Sequence, residues 1–136
     1  MDYSEQIQAS IAYIENNLTE RILLENLAKQ TFISKYYYHR LFHQFTGETV
    51  MSFIRKRRLT KAAKELMESD IKIVDVALKY QFGSQETFSR AFKRMFEASP
   101  GEFRRANISI LQYKMIDLCH RNVSRQWTMD SRCQAA

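Results

Sequence analysis

The stretch "SKYYYHRLFHQF" (34–45) crowds three tyrosines, two histidines and an arginine into one short segment. Fifty residues later "SQETFSRAFKRMF" repeats the rhythm with different polar letters. On a helix, Tyr38, Leu41, Phe42 and Phe45 share one face, and so do Phe88, Ala91, Phe92 and Met95, so both sets are predicted to be buried. That leaves Lys35, Tyr36, Tyr37, His39, Arg40 and His43 outward in the first segment. Gln85, Glu86, Thr87, Ser89, Arg90, Lys93 and Arg94 are outward in the second. Apart from Glu86 these faces carry no acid. Amide, hydroxyl, aromatic and guanidinium groups near helix N-termini are what a reader of the DNA major groove requires. Arg40 and Arg90 are the strongest candidates for base contact, since a bidentate arginine–guanine pair contributes roughly 1–3 kcal/mol of discrimination.

Other chemistries fit less well. His39 and His43 stand four apart, a spacing that can hold zinc, but no carboxylate accompanies them as it does on a metalloprotease helix. Cys119 and His120 lie in an unrelated segment without a C-x-x-C pair. There is no glycine-rich phosphate loop, nucleophile elbow or catalytic carboxylate pair. The sequence therefore predicts no catalytic residues, no metal and no cofactor; a small metal-binding helical protein is the minority alternative.

Such side chains need a helical scaffold. One proline and three glycines in 136 residues argue for helices with short connections. Ile7, Ile11, Ile14 and Leu18 predict an amphipathic helix over 4–17, and "LLENLAKQT" a shorter second one. Ser34 is the expected N-cap of the first polar-aromatic segment and Gly47 its stop. A long pattern runs from 49 to 69, with Phe53, Ile54, Leu59, Ala62, Ala63 and Leu66 on its apolar side. "IVDVALKYQ" and "SQETFSRAFKRMF" follow as a short and a longer helix. "SPGEF" then gives a start signal, with Ser99 as N-cap, Pro100 in the first turn and Glu102 completing a capping box.

Self-comparison organises these elements. Ala28 and Ala77 are 49 apart, whereas Ser34/Ser84, Tyr38/Phe88, Arg40/Arg90 and Phe42/Phe92 are 50 apart, so the second copy has one extra turn residue. Each copy reads as short helix, turn, longer helix, which is a helix-turn-helix. The expected fold is all-α: about seven helices forming two helix-turn-helix subdomains (4–48 and 70–106) joined by a linker helix (49–69). A C-terminal extension (107–136) follows, where Ile108, Leu111, Met115 and Leu118 suggest a further helix and "SRQWTMDSRCQAA" a loose tail.

Charge agrees with an acidic partner. The net charge is +6, yet residues 1–30 hold five acids against two bases, so the basic excess lies later. "RKRRLTKAAK" (55–64) alone has six bases and no acid. Arg55, Arg57, Arg58 and Lys61 cannot all share one face, but some are expected to neutralise phosphate and give salt-dependent affinity. Lys35 and Lys93 and the helix N-termini at Ser34 and Ser84 are further phosphate candidates. The lack of any 18-residue apolar run or charged-then-apolar leader predicts neither membrane span nor secretory signal. Two cysteines make no disulfide framework, which suits a reducing cytoplasm. A linker helix of about 20 residues measures about 30 Å, close to the ~34 Å between successive major-groove windows on one DNA face. Because the two reading faces differ, the expected site is asymmetric.

On "LAKQTFISKYYYHRLFHQFTG", "FIRKRRLTKAAKEL" and "VALKYQFGSQETFSRAFKRMFEASPGEFRR" the chain resembles the DNA-binding domain of the AraC/XylS family, in particular its stand-alone activators. The resemblance spans about residues 5–105. It implies a protein that binds double-stranded promoter DNA as a monomer and activates transcription through RNA polymerase, at antibiotic-resistance or stress-response genes. Carried over, Tyr36, His39 and Arg40 hold base-contacting places in the first recognition helix, and Gln85, Glu86, Thr87 and Arg90 in the second. The sequence barely separates an activator from a repressor or architectural protein. Two departures stand out. Phe32 and Gln81 occupy turn positions where the family often has glycine, and a bulky residue disfavours left-handed backbone. Glu86 replaces a common neutral amide; a carboxylate accepts from cytosine N4, or else holds Arg90 or Lys93.

Overall fold

The structure, a computed structural model, describes residues 3–105. Its regular elements are all helical: α1 (Ser4–Asn16), α2 (Leu24–Thr31), α3 (Lys35–Thr46), α4 (Val50–Glu68), α5 (Ile73–Lys79), α6 (Gln85–Phe96) and α7 (Pro100–Arg105). The predicted helix around Leu111 and Met115 and the tail after it lie outside the described residues.

The chain divides into two compact units between Arg57 and Arg58, within α4. The expected 49–69 linker is one unbroken helix, yet each part of it belongs to a core. Val50, Phe53 and Ile54 are buried in its first part, and Leu59, Ala62, Ala63 and Leu66 in its second.

In the first unit, Ile7, Ile11 and Ile14 of α1, Leu27 and Ala28 of α2, and Tyr38, Leu41 and Phe42 of α3 are buried. Burying a large apolar side chain contributes about 1.5–3 kcal/mol. Tyr38 is wholly enclosed, so its hydroxyl needs a partner: it donates to Ser10 Oγ at 2.9 Å, and Ser10 donates to the Ile7 carbonyl at 2.8 Å. Burial pushes the Tyr38 phenol up to about 12. Phe45, expected in this core, is only half-buried.

The second unit is built on phenylalanine. Phe88, Phe92 and Phe96 are the buried stripe of α6, while Ala91 and Met95, predicted to be core, are half-buried. In the i, i+4, i+8 row each ring packs tilted against the next. Ring centroids of Phe92 and Phe96 are 4.6 Å apart, and Phe103 of α7 meets Phe92 at 5.2 Å and Phe96 at 5.8 Å.

The internal repeat runs further than the recognition helices. Phe53 and Phe103 are 50 apart, and each meets the central phenylalanine of its own recognition helix edge-on. Phe42–Phe53 centroids lie 5.4 Å apart at 78°, and Phe92–Phe103 centroids 5.2 Å apart at 81°. Thr49 and Ser99 likewise cap the helices that carry those rings, accepting from Ser52 N and Glu102 N at 3.1 Å each. The start of α4 is therefore the first unit's counterpart of α7, which is why the division falls inside α4.

Candidate nucleic-acid interface

Each recognition helix is launched by the same local chemistry. α2 ends at Thr31, Phe32 turns left-handed (φ 59°), and the Ile33 amide reaches back to the Ala28 carbonyl at 3.3 Å. α5 ends likewise: Gln81 is left-handed (φ 69°), and the Phe82 amide donates to the Ala77 carbonyl at 2.9 Å. A left-handed residue followed by a six-residue closing bond is the Schellman stop. It normally favours glycine because a Cβ is disfavoured there. Phe32 adopts it with its ring in solvent, at 96% exposure, while Ile33, one residue later, is half-buried. In the second unit the half-buried Phe82 follows Gln81 and lies edge-on to Phe88 at 5.2 Å. The departures from glycine thus leave the turn shape intact.

The serines then start the helices. Ser34 Oγ accepts from Tyr37 N at 3.2 Å, and Ser84 Oγ from Thr87 N at 3.1 Å. Gly83, beside open space, is the extra turn residue of the second copy. Both helices end on left-handed backbone, at Gly47 (φ 75°) and, unexpectedly from sequence, at Glu97 (φ 62°). Each of these amides closes on the carbonyl four residues earlier at 2.8 Å.

On α3, Tyr36, His39 and Arg40 are exposed together with Lys35 and His43. Tyr37, also predicted outward, is exposed as well and lies edge-on to Tyr3 with centroids 5.6 Å apart. Lys35 donates to Glu25 of α2 at 2.6 Å, and this bond holds the Glu25 carboxyl below the usual carboxylate range. On α6, Gln85, Glu86, Thr87, Arg90, Lys93 and Arg94 are exposed, whereas Ser89 is half-buried. Arg90 Nη2 donates to Glu86 Oε1 one turn earlier. Glu86 therefore contacts Arg90, one of the two partners the sequence left open.

The basic run of α4 splits by exposure. Arg55 and Lys61 are exposed. Arg57 instead forms a two-bond pair with Glu15 of α1, Nε to Oε1 at 2.5 Å and Nη2 to Oε2 at 3.1 Å, with only 17% of its side chain exposed. Arg58 is half-buried, and burial holds its guanidinium pKa below the usual value. Sequence spacing gave no sign of the Arg57 pair, because its partner is 42 residues away.

Among the described residues no group of three or more His, Cys, Asp or Glu side chains is placed to hold a metal ion. No helix among them is long and apolar enough to cross a membrane.

Known proteins carry the same architecture. A helix-turn-helix domain family matches residues 27–106. The Transposon Tn10 TetD protein of Escherichia coli is 46% identical over 99 residues, covering 73% of this chain and 72% of that protein. The HTH-type transcriptional activator AarP of Providencia stuartii is 38% identical over 101 residues, covering 74% and 75%. A longer curated relative is spanned over only 35% of its length. Among solved structures, the DNA-binding domain of the global transcriptional factor AdpA, in complex with a target DNA, superposes with a TM-score of 0.69 at 25% identity, covering 73% of this chain and 89% of that one. Doubled turns and caps, exposed polar faces on α3 and α6, and these relatives lead to one conclusion: the chain belongs to the AraC/XylS family of DNA-binding, helix-turn-helix transcriptional regulators.

Proposed function

We propose that this regulator is a cytoplasmic transcriptional activator that binds an asymmetric site in double-stranded promoter DNA as a monomer and recruits RNA polymerase. The observation that carries this reading is the doubled launch of α3 and α6. Equivalent turns and serine caps present Tyr36, His39 and Arg40 on one helix and Gln85, Glu86, Thr87 and Arg90 on the other, all exposed. The two sets differ in chemistry, which favours an asymmetric site and makes a second copy of the chain unnecessary. Each helix enters a major groove by its N-terminal turns, the two grooves being adjacent. Exposed Lys35, Arg55, Lys61 and Lys93, with the amide-rich helix starts at Ser34 and Ser84, supply phosphate contacts. Arg57 is left to its pair with Glu15, and Arg58 is a lesser phosphate candidate because it is half-buried.

Activation is favoured over repression by the name of one similar protein, the activator AarP. Antibiotic-resistance or stress-response genes are the proposed targets, following the stand-alone regulators that the sequence resembles. Binding-site selection followed by footprinting tests the DNA reading: Arg40→Ala and Arg90→Ala should each relax one base-pair position by about ten- to hundredfold. In vitro transcription from the selected site tests the activity. Output that rises with the protein supports activation, and output that falls marks a repressor.

A further inference from the structure

Aligned fifty residues apart, Arg40 and Arg90 occupy equivalent places in α3 and α6, but their neighbours one turn earlier differ. Arg40 follows Tyr36, whereas Arg90 follows Glu86. The Glu86 carboxylate accepts from Arg90 Nη2, with 74% and 73% of the two side chains exposed. We infer that Glu86 is a positioning residue for Arg90, and that it sets how strictly the second recognition helix reads its base pair. This rests on the reading of α6 as a DNA-contacting helix.

A guanidinium carries five N–H donors in a rigid fork, and Glu86 engages one edge of it. Enough donors remain to make the paired contact to guanine O6 and N7. Without a neighbour, an arginine this exposed samples many rotamers and meets phosphates as readily as bases. The i, i+4 tether restricts it before DNA arrives, so less freedom is lost on binding. In bulk water such a surface pair is weak, but expulsion of water from the groove strengthens it when the base is engaged.

The carboxylate has a second effect. Among the exposed side chains of α6 it is the one acid. It repels phosphate and so lowers affinity for DNA in general, while its effect through Arg90 raises affinity for the preferred base. Both effects widen the gap between specific and non-specific binding.

The test uses the full chain and a randomised duplex library, with affinities for the selected site and for unrelated duplex measured at fixed salt. Glu86→Ala should reduce guanine preference at the Arg90 position about tenfold and tighten binding to unrelated duplex a few-fold. It should leave the preference at the Arg40 position unchanged. Glu86→Gln, which can still bond to the guanidinium, should restore part of the preference and none of the repulsion. Should Glu86→Ala keep the full guanine preference, the positioning role is overturned, whatever happens to unrelated duplex. Equal losses at the Arg40 and Arg90 positions overturn it too, because they report general damage. If Arg90→Ala itself leaves the selected site unchanged, the reading of α6 as a base-contacting helix fails first.

Discussion

The Arg104 guanidinium of α7 donates from Nε to the main-chain carbonyl of Leu66 in α4 at 3.1 Å, 38 residues earlier in the chain. Its Nη2 also reaches the carbonyls of Ser69 at 3.3 Å and Ile71 at 2.5 Å. The end of α4 and the segment after it thus receive from one side chain the donors that a helix C-terminus lacks, and a cation there suits the helix dipole. Arg104→Ala removes all three bonds and should lower unfolding free energy by about 2 kcal/mol, from the contribution of hydrogen bonds to charged groups. Arg104→Lys should recover only part, since an ammonium lacks the planar fork. Urea unfolding of the full chain measures both, and an unchanged midpoint in Arg104→Ala would show the latch to be idle.

Phe32 holds left-handed backbone at φ 59° with its ring 96% exposed. No packing is lost by removing that ring, and a non-glycine residue in this region is disfavoured by about 1–2 kcal/mol. Phe32→Gly should therefore stabilise the protein by about 0.5–1 kcal/mol once the greater freedom of glycine in the unfolded chain is offset. Phe32→Ala keeps the Cβ and should gain nothing. A thermal scan that orders the three proteins glycine first supports this; a destabilised glycine variant would mean that the exposed ring has a partner.

The contrast between Ser34 and Arg104 shows what was legible in sequence. Ser34, Ser84 and Ser99 could be read because a cap is local: hydroxyl and amide are three residues apart. The exposed groups of α3 and α6 could be read because helical periodicity sorts faces without tertiary information. Phe96 belongs to the core through Phe103 of another helix, a contact that the spacing of Phe88, Ala91, Phe92 and Met95 does not reveal. The Arg57–Glu15 pair and the Arg104 latch join residues far apart in the chain, so spacing could not find them. The glycine-less turns at Phe32 and Gln81 were visible as anomalies. What spacing could not supply was that the Ile33 and Phe82 amides, one position later, still close on the Ala28 and Ala77 carbonyls.

Arg55 and Arg57 are two residues apart in a basic run, yet the structure separates their consequences. Arg55 is exposed, while Arg57 is mostly covered and doubly bonded to Glu15. Arg57→Ala leaves the half-buried Glu15 without that partner and should lower stability by about 1.5–3 kcal/mol. Arg55→Ala should leave stability within about 0.5 kcal/mol of the parent and reduce the salt dependence of DNA binding by about one phosphate contact. Paired unfolding curves and salt titrations of the two variants decide the matter. The reverse pattern would make Arg57 the phosphate ligand.

Alkaline pH should act on both cores through their tyrosines. Burial pushes the Tyr38 phenol up to about 12. Burial, and after it the charge of Glu65 and the hydrogen bond to it, do the same to Tyr80, also to about 12. The ordinary value is 10.0, so between these limits the unfolded chain releases a proton that the folded protein retains. Unfolded protein then binds fewer protons than folded, and stability must fall as pH rises. The contribution is fully present below about pH 10, the ordinary tyrosine value, and is lost as pH rises through the folded pKa. Tyr38→Phe sacrifices the bond to Ser10, about 1 kcal/mol at neutral pH, but removes its share of the alkaline loss. The advantage of the parent over Tyr38→Phe in unfolding free energy should therefore fall from pH 9 and change sign before pH 12, because a pKa raised from 10.0 to about 12 outweighs one hydrogen bond, as chemical denaturation at stepped pH would reveal. A difference that stays constant over that range would mean that Tyr38 ionises as easily in the folded protein as in the unfolded chain.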